Sequence, residues 1–352
     1  QALRAQRDRI RTILPRHEQG GAFAAQGVAR TTGRAGVCMA TSGPGATNLV
    51  TGIADAKLDS IPMVAVTGQV PQKFIGTDAF QETPIVEVCR AITKHHYLIT
   101  DINDVARIVK EAFYIAETGR PGPVLIDLPK DISMGTGEAV YSEPVPLPEA
   151  PEPDPVALQA ASDMLSKARR PLVIAGGGIA ISDSVEAFRA FIDRTGLPVT
   201  STLKGLGIMP TDHPGYVGML GMHGNGAANH AVQNCDLFMV VGARFDDRAT
   251  GHLSQFAQSA RIIHLDIDPA EISKLRKADV AVVSELKPAL EQIRPEHKAN
   301  STWSSQCLNW KKEFAWRYDA PAIGIYAPKL LRDLSRAKPE GLTITCDVGQ
   351  HQ

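Results

Sequence analysis

Charge of neither sign is in excess: 37 Lys and Arg stand against 38 Asp and Glu, a formal net charge of −1. That balance removes the electrostatic case for a nucleic-acid partner or an anionic membrane surface. Long apolar runs are missing as well, with no stretch of about 18 uncharged apolar residues, which excludes a membrane-spanning helix. Cysteine is sparse: five residues, at 38, 89, 235, 307 and 346, without CxxC spacing. An odd, scattered set argues against a zinc site or a disulfide framework and makes a reducing compartment the expectation. No initiator Met stands at position 1 and no signal or transit peptide is recognisable. The last residues, Asp347-Val348-Gly349-Gln350-His351-Gln352, follow directly on an expected strand. The sequence therefore reads as an internal piece of a longer protein. What is present is the composition of an ordinary soluble globular protein, 43% hydrophobic and 21% charged, over 352 residues. That length holds two domains and part of a third.

Short apolar runs alternate with helical patterns. Strands are expected at Ile10–Leu14, Gly36–Ala40, Pro62–Thr67 and Pro123–Asp127. These runs are apolar nearly throughout, as parallel strands buried on both faces are. The helix after Asp101 has a cap at Asp101 or Asn103, an apolar face of Val105, Ile108, Val109, Ala112 and Ala116, and a stop at Gly119. From 138 to 155 prolines dominate and imply an extended linker. A second alternating series follows, with strands at Pro171–Ala175, Pro198–Thr202, Asp236–Val241 and Arg261–Asp266 and a helix at Val185–Thr195. After Pro295 the chain turns polar, a second linker or a surface helix. Helix Pro328–Ser335 and strand Thr343–Cys346 then open a third unit. The expected fold class is α/β: two doubly wound parallel-sheet domains, 1–137 and 156–298, plus the start of a third at 326–352, with linkers at 138–155 and 299–325.

Four blocks carry chemistry-bearing residues at strand-to-helix junctions. They are Arg16-His17-Glu18-Gln19-Gly20-Gly21, Ser42-Gly43-Pro44-Gly45-Ala46-Thr47-Asn48, Gly76-Thr77-Asp78-Ala79-Phe80-Gln81-Glu82, and Gly119-Arg120-Pro121-Gly122-Pro123 running on to Asp127-Leu128-Pro129-Lys130-Asp131. Singly, each is a loop with turn residues, and an isolated Glu at such a position caps a helix. Phe80 and Gln81 lie in a loop of about 15 residues, longer than a simple connection needs.

Together and in this order, the blocks resemble the pyrimidine-binding half of a thiamine-diphosphate enzyme, most closely the large catalytic subunit of the acetolactate synthase family. The resemblance implies a carboxyl group beside the cofactor's aminopyrimidine, held in a dry pocket that raises its pKa. Glu18 is that group by position, although a helix N-terminus works in the opposite direction by favouring the ionised form. By the same resemblance Pro44 and Asn48 lie near the pyrimidine, with Asn48 orienting Glu18. Phe80 and Gln81 reach the active site of a neighbouring subunit, and Lys130 attracts a 2-oxo acid carboxylate. Gly349, Gln350 and His351 resemble the start of the diphosphate-contacting loop. The Mg²⁺ ligands are expected outside these residues, so no metal ligand is assigned.

The second domain offers Gly176-Gly177-Gly178 after a strand, a weak phosphate-loop signal that lacks GxGxxG spacing. It also carries Leu220-Gly221-Met222-His223-Gly224, Val241-Gly242-Ala243-Arg244-Phe245-Asp246-Asp247-Arg248 and His264-Leu265-Asp266-Ile267-Asp268-Pro269. These resemble the FAD-binding middle domain of the same family. The resemblance implies that FAD is lined by Arg120, Gly176, Gly177, Thr202, Leu203, His223, Gly224, Gly242, Ala243, Arg244, Asp266, Ile267 and Asp268. Glu285, in Ser284-Glu285, stands where the family often has Gly-Asp, so its contact to the flavin's adenosine end departs from the pattern. The expected function is decarboxylation of pyruvate and carboligation to a second 2-oxo acid, pyruvate or 2-oxobutyrate. The products are 2-acetolactate or 2-aceto-2-hydroxybutyrate, and these residues alone are expected to be inactive. A homodimer or dimer of dimers, a small regulatory subunit, and the bacterial cytoplasm or an organelle are implied on the same basis. Two other readings stay open: a pyruvate oxidase-like flavin and thiamine-diphosphate enzyme, and a non-catalytic FAD-holding piece. Glyoxylate carboligase shares the layout but carries an apolar residue where this chain has Glu18.

Overall fold

The computed structural model describes residues 2–138, 152–319, 324–345 and 349. The chain divides into two units, Gln1–Glu149 and Ala150–Gln352.

The first unit is built on four parallel strands, β1 (Gly36–Ala40), β2 (Met63–Gln69), β3 (His95–Leu98) and β4 (Pro123–Pro129), in the order β1-β2-β4-β3. Alternate residues of the central strands feed opposite faces. Met63, Ala65 and Leu125 join Ala22, Ala25 and Ile53 in one core, while Val64, Val124 and Ile126 join Ile108 and Ala112 in the other. This two-sided burial is why β2 and β4 read as continuous apolar runs. Helix Glu18–Thr32 lies so close to β1 that a Cβ on Gly36 would come within 1.9 Å of the Ala25 carbonyl oxygen. Small residues on both elements, Ala25 against Gly36, make that approach possible. Helix Val105–Glu117 buries Ile108, Ala112 and Ala116 as its periodicity predicts, while Val109 is exposed. Asp101 caps a short 3₁₀ turn, Ile102–Asp104, that leads into it.

The expected strand over 10–14 does not form. The segment is irregular, and Ile13 and Leu14 are 72% and 94% exposed. No strand pairs with it among the described residues, and an isolated extended run gains nothing from its apolar side chains. Thr343, Ile344 and Thr345 are likewise not in a strand, and Cys346 lies outside the described residues.

The second unit carries six parallel strands: β5 (Pro171–Ala175), β6 (Val199–Ser201), β7 (Tyr216–Met219), β8 (Leu237–Val241), β9 (Arg261–Asp266) and β10 (Val280–Val283). Their order is β10-β9-β8-β5-β6-β7. The chain winds outward from β5 to β7, returns to place β8 beside β5, and winds outward the other way. Between β5 and β8 the winding reverses, and a ligand crevice belongs at the carboxyl ends of such a pair. One face packs Val173, Met239 and Val241 against helices Pro155–Lys167 and Val185–Thr195 through Leu158, Phe188 and Phe191. The other face packs Leu172, Ile174 and Phe238 against helix Gly226–Asn234. The polar stretch after Pro295 contains helix Ser301–Glu313, whose Trp303 and Cys307 are buried in that second core. No helix among the described residues is long and apolar enough to cross a membrane.

Candidate active site

Glu18 is the first residue of helix Glu18–Thr32, and His17 caps that helix by accepting the Gln19 N–H on its Nδ1 at 3.1 Å. An extended backbone at His17 (φ −145°, ψ 137°) turns the chain into the helix, in place of the strand expected before it. The Glu18 carboxylate is half-buried and points into the Ser42–Asn48 turn. Asn48 Nδ2 donates to Glu18 Oε2 at 2.9 Å, and Oε1 would lie 3.5 Å from a Cβ on Gly45. Pro44 opens the short helix Pro44–Asn48, with its fixed φ suited to a first helical position. The Asn48 hydrogen bond, aided by backbone N–H at the helix start, lowers the Glu18 pKa below its ordinary 4.5. The expectation of a raised pKa is therefore not met within this single chain. Glu18 is not dry here, and the Asn48 amide solvates its charge.

The segment 76–82 folds against the same turn. Gln81 has a left-handed backbone (φ 60°), and its Cβ would stand 2.9 Å from a Cβ on Gly43, itself at φ 64°. Only a glycine at 43 lets the two backbones meet. Glu82 closes the segment by accepting the N–H of Gly76 and, at 3.1 Å, that of Ala79. Gln81 is exposed, and Phe80, 89% exposed, points away from the fold of its own unit. Lys130 follows β4 and lines a cleft of about 290 Å³ with Thr41, Ser42, Thr67 and Gln69, at the carboxyl ends of β1, β2 and β4. Glu18, Pro44, Asn48 and Gln81 thus gather at one turn, and Lys130 shares the sheet edge from which that turn leaves. Arg120 donates from Nε to Ser60 Oγ at 2.8 Å. Gly349 is exposed, whereas Gln350 and His351 lie outside the described residues.

In the second unit the candidate residues collect at the carboxyl ends of all six strands. Gly176 and Gly177 follow β5; Thr202 and Leu203 follow β6; His223 and Gly224 follow β7; Gly242, Ala243 and Arg244 follow β8. Asp266 ends β9 with Ile267 and Asp268 beyond it, and Glu285 follows β10. The β5 and β8 loops are bonded backbone to backbone, Gly176 N–H to Val241 O at 3.0 Å and Gly178 N–H to Gly242 O at 2.9 Å. Thr202 Oγ1 accepts from Gly205 N–H at 3.1 Å. Asp266 and Asp268 each accept a backbone N–H two residues on, at 2.9 Å. Along this edge Leu203 and Met222 expose apolar side chains (50% and 62%), while His223, Arg244, Asp266 and Asp268 supply charge or hydrogen bonds. Apolar surface for a flat ring, cationic groups for phosphates and carboxylates for ribose hydroxyls is a donor set that fits a dinucleotide. Glu285 is exposed at the start of helix Leu286–Gln292. Asp246 caps helix Asp247–Thr250, accepting from Arg248 and Ala249 N–H, and Asp247 pairs with Arg248 at 3.8 Å. No group of three or more His, Cys, Asp or Glu among the described residues could hold a metal ion.

Two buried polar residues were not anticipated from the sequence. Asp127 is the one acid within the apolar run of β4, and burial raises its carboxyl to about 6. His264, fully buried in β9, bonds through Nε2 to the Ala243 carbonyl at 2.9 Å, so it holds the Gly242-Ala243 turn. A titratable residue flanked by apolar neighbours within a strand was the available signal in both cases. The described cysteines are buried and unpaired, with the Cys38, Cys235 and Cys307 thiols pushed up to about 12 by burial.

Comparison with known proteins agrees with both halves of this description. Residues 1–88 match the thiamine pyrophosphate enzyme N-terminal TPP binding domain, and residues 158–293 match the thiamine pyrophosphate enzyme central domain. The chain belongs to the thiamine pyrophosphate enzymes. Within that class its relatives include acetolactate synthases. It is 51% identical, over 97% of its length and 62% of the relative's, to acetolactate synthase isozyme 2 large subunit of Escherichia coli (strain K12). It is 48% identical to the chloroplastic acetolactate synthase 1 of Zea mays, over 97% of this chain and 56% of the relative. The same identity holds for chloroplastic acetolactate synthase 3 of Brassica napus, over 97% and 54%. The chain thus spans somewhat more than half the length of these relatives.

Proposed function

We propose that the protein carrying this chain is an acetolactate synthase: it decarboxylates pyruvate and joins the remaining two-carbon unit to a second 2-oxo acid. Pyruvate as acceptor gives 2-acetolactate, and 2-oxobutyrate gives 2-aceto-2-hydroxybutyrate, both precursors of branched-chain amino acids. The observation that carries the reading is the Glu18–Asn48 hydrogen bond of 2.9 Å inside the Gly-Pro-Gly turn. Thiamine diphosphate, when bound, supplies the nucleophilic carbon and electron sink that this decarboxylation requires. Glu18 would hold the proton that the pyrimidine nitrogen requires, and Asn48 orients its carboxyl group. Exclusion of water from Glu18 in the assembled site would favour its protonated form, against the pull of Asn48. Gln81 and Phe80 shape the acceptor side, and Lys130 draws the acceptor's carboxylate.

FAD is proposed along the carboxyl edge of the six-stranded sheet. Mg²⁺ would be held by ligands outside the described residues. A homodimer or dimer of dimers accounts for the fully presented Phe80, and a small regulatory subunit is a further partner. The test is Glu18→Gln in a full-length protein carrying this sequence. Carboligation should fall at least about a hundredfold, as for loss of a general acid. Turnover close to that of the parent would remove Glu18 from the mechanism.

A further inference from the structure

Asp127 is 1% exposed in β4. A carboxylate so far from water needs donors on its oxygens. Both are met from β2: Thr67 Oγ1 donates to Oδ1 at 2.7 Å and Gln69 Nε2 to Oδ2 at 3.0 Å. The register explains the match, since Thr67 stands opposite Asp127 and Gln69 opposite Pro129.

Gln69 also reaches outward. Its Nε2 donates to the Thr83 carbonyl at 2.8 Å, while its Oε1 accepts from the Val70 N–H at 2.8 Å. Thr83 is where the segment bearing Phe80 and Gln81 rejoins the fold, and Ile85, two residues on, is buried at the start of helix Ile85–Cys89. An ionised carboxylate only accepts hydrogen bonds. Turning the Gln69 amide over would therefore set oxygen against Asp127 and against the Thr83 carbonyl. One acid in the floor of the sheet thus fixes the orientation of an amide at the root of the segment. The segment needs such a root, because Asp78 and Gln81 both hold left-handed backbones (φ 59° and 60°) that persist only where the surroundings impose them.

We propose that Asp127 is a positioning residue for the 76–82 segment: by locking the Gln69 amide it sets where Thr83, and with it Gln81, stands over the Gly43 turn. This rests on the reading of 76–82 as part of the active site.

The test uses a full-length protein carrying this sequence, with hydrogen exchange of amides 76–83 and steady-state carboligation read side by side. Asp127→Asn removes the charge and can meet the Gln69 amide in either orientation, so it no longer locks that amide and should speed exchange there about tenfold. It should lower kcat by about tenfold while KM for pyruvate stays within about twofold, the pattern of lost positioning rather than lost binding. The paired variant Asp127→Asn with Gln69→Glu restores a donor–acceptor match between the two buried side chains but leaves a carboxylate facing the Thr83 carbonyl. A merely structural role predicts rescue by the pair, and positioning predicts none, so the pair decides the matter even where the single variant folds poorly. Unchanged exchange and kcat in Asp127→Asn, or full rescue by the pair, overturns the proposal. Faster exchange with unchanged kcat makes Asp127 an anchor of the fold alone and also overturns it. Glu18→Gln reports on the underlying reading separately.

Discussion

At Glu18 the proton equilibrium is set first by Asn48 and then by the backbone N–H at the helix start. The Asn48 amide donates to the ionised carboxylate, so the folded-state pKa lies below 4.5. An acid whose folded pKa is depressed adds stability above its unfolded value and loses it as pH falls through the folded one. Asn48→Ala should therefore raise the Glu18 pKa, as followed by its carboxyl carbon resonance. It should also lower the urea midpoint at pH 7 by more than at a pH below the parent's folded pKa, where both proteins carry a neutral carboxyl. An unshifted Glu18 titration in the variant would show that Asn48 does not hold the charge. Glu18, Pro44 and Asn48 were legible in the sequence because each sits in a contiguous motif whose turn chemistry is local. Asp127 was not, since its partners Thr67 and Gln69 lie 60 and 58 positions away and meet it only through strand register. The contact of Gln81 with Gly43 is non-local in the same way, joining two loops that a linear reading treats separately.

Helix Glu18–Thr32 carries Glu18 at its first position, so whatever moves the helix moves the carboxylate. Its closest approach to the sheet is at Gly36, where a Cβ would stand 1.9 Å from the Ala25 carbonyl oxygen. That atom is backbone and cannot step aside. Gly36→Ala should cost about 1–3 kcal/mol by overpacking. It should also bring the Glu18 titration back toward its ordinary value as the helix retreats from Asn48. Gly27→Ala, in the same helix with nothing within 4 Å of the added carbon, is the control. It should gain about 0.5–1 kcal/mol from helix propensity. Equal urea midpoints for the two variants would contradict this packing account. The central strands were legible for the same reason that they are central: β2, β4, β5, β8 and β9 are buried on both faces and read as apolar runs. Strands β3 and β10 are edges: β3 contains His95 and His96, β10 is an apolar run of only four residues, and β7 contains Gly218 and pairs only with β6. Conversely, Ile10–Leu14 had the composition of a strand and, among the described residues, no neighbour to pair with, which propensity alone does not reveal.

Each unit has its own sheet with a hydrophobic core on either face, and among the described residues no core cluster draws on both units. Cooperative unfolding follows shared cores. Heating this chain should therefore give two transitions, one for each unit. The proposed flavin edge supplies a way to tell them apart, because a ligand stabilises the fold that binds it by an amount set by its concentration relative to Kd. FAD at about a hundredfold excess over Kd should add about 2.7 kcal/mol to the unit formed by 150–352. For a unit of that size this corresponds to a rise of roughly 5–10 °C in its Tm. Differential scanning calorimetry with and without FAD checks this, and fluorescence of the tryptophans identifies the transition, since Trp303 and Trp310 pack in the second unit's core and the first unit has no tryptophan. A tryptophan-reported transition unmoved by FAD would remove the dinucleotide from the carboxyl edge of the six strands. It would leave the Glu18–Asn48 turn, built on a different sheet, untouched.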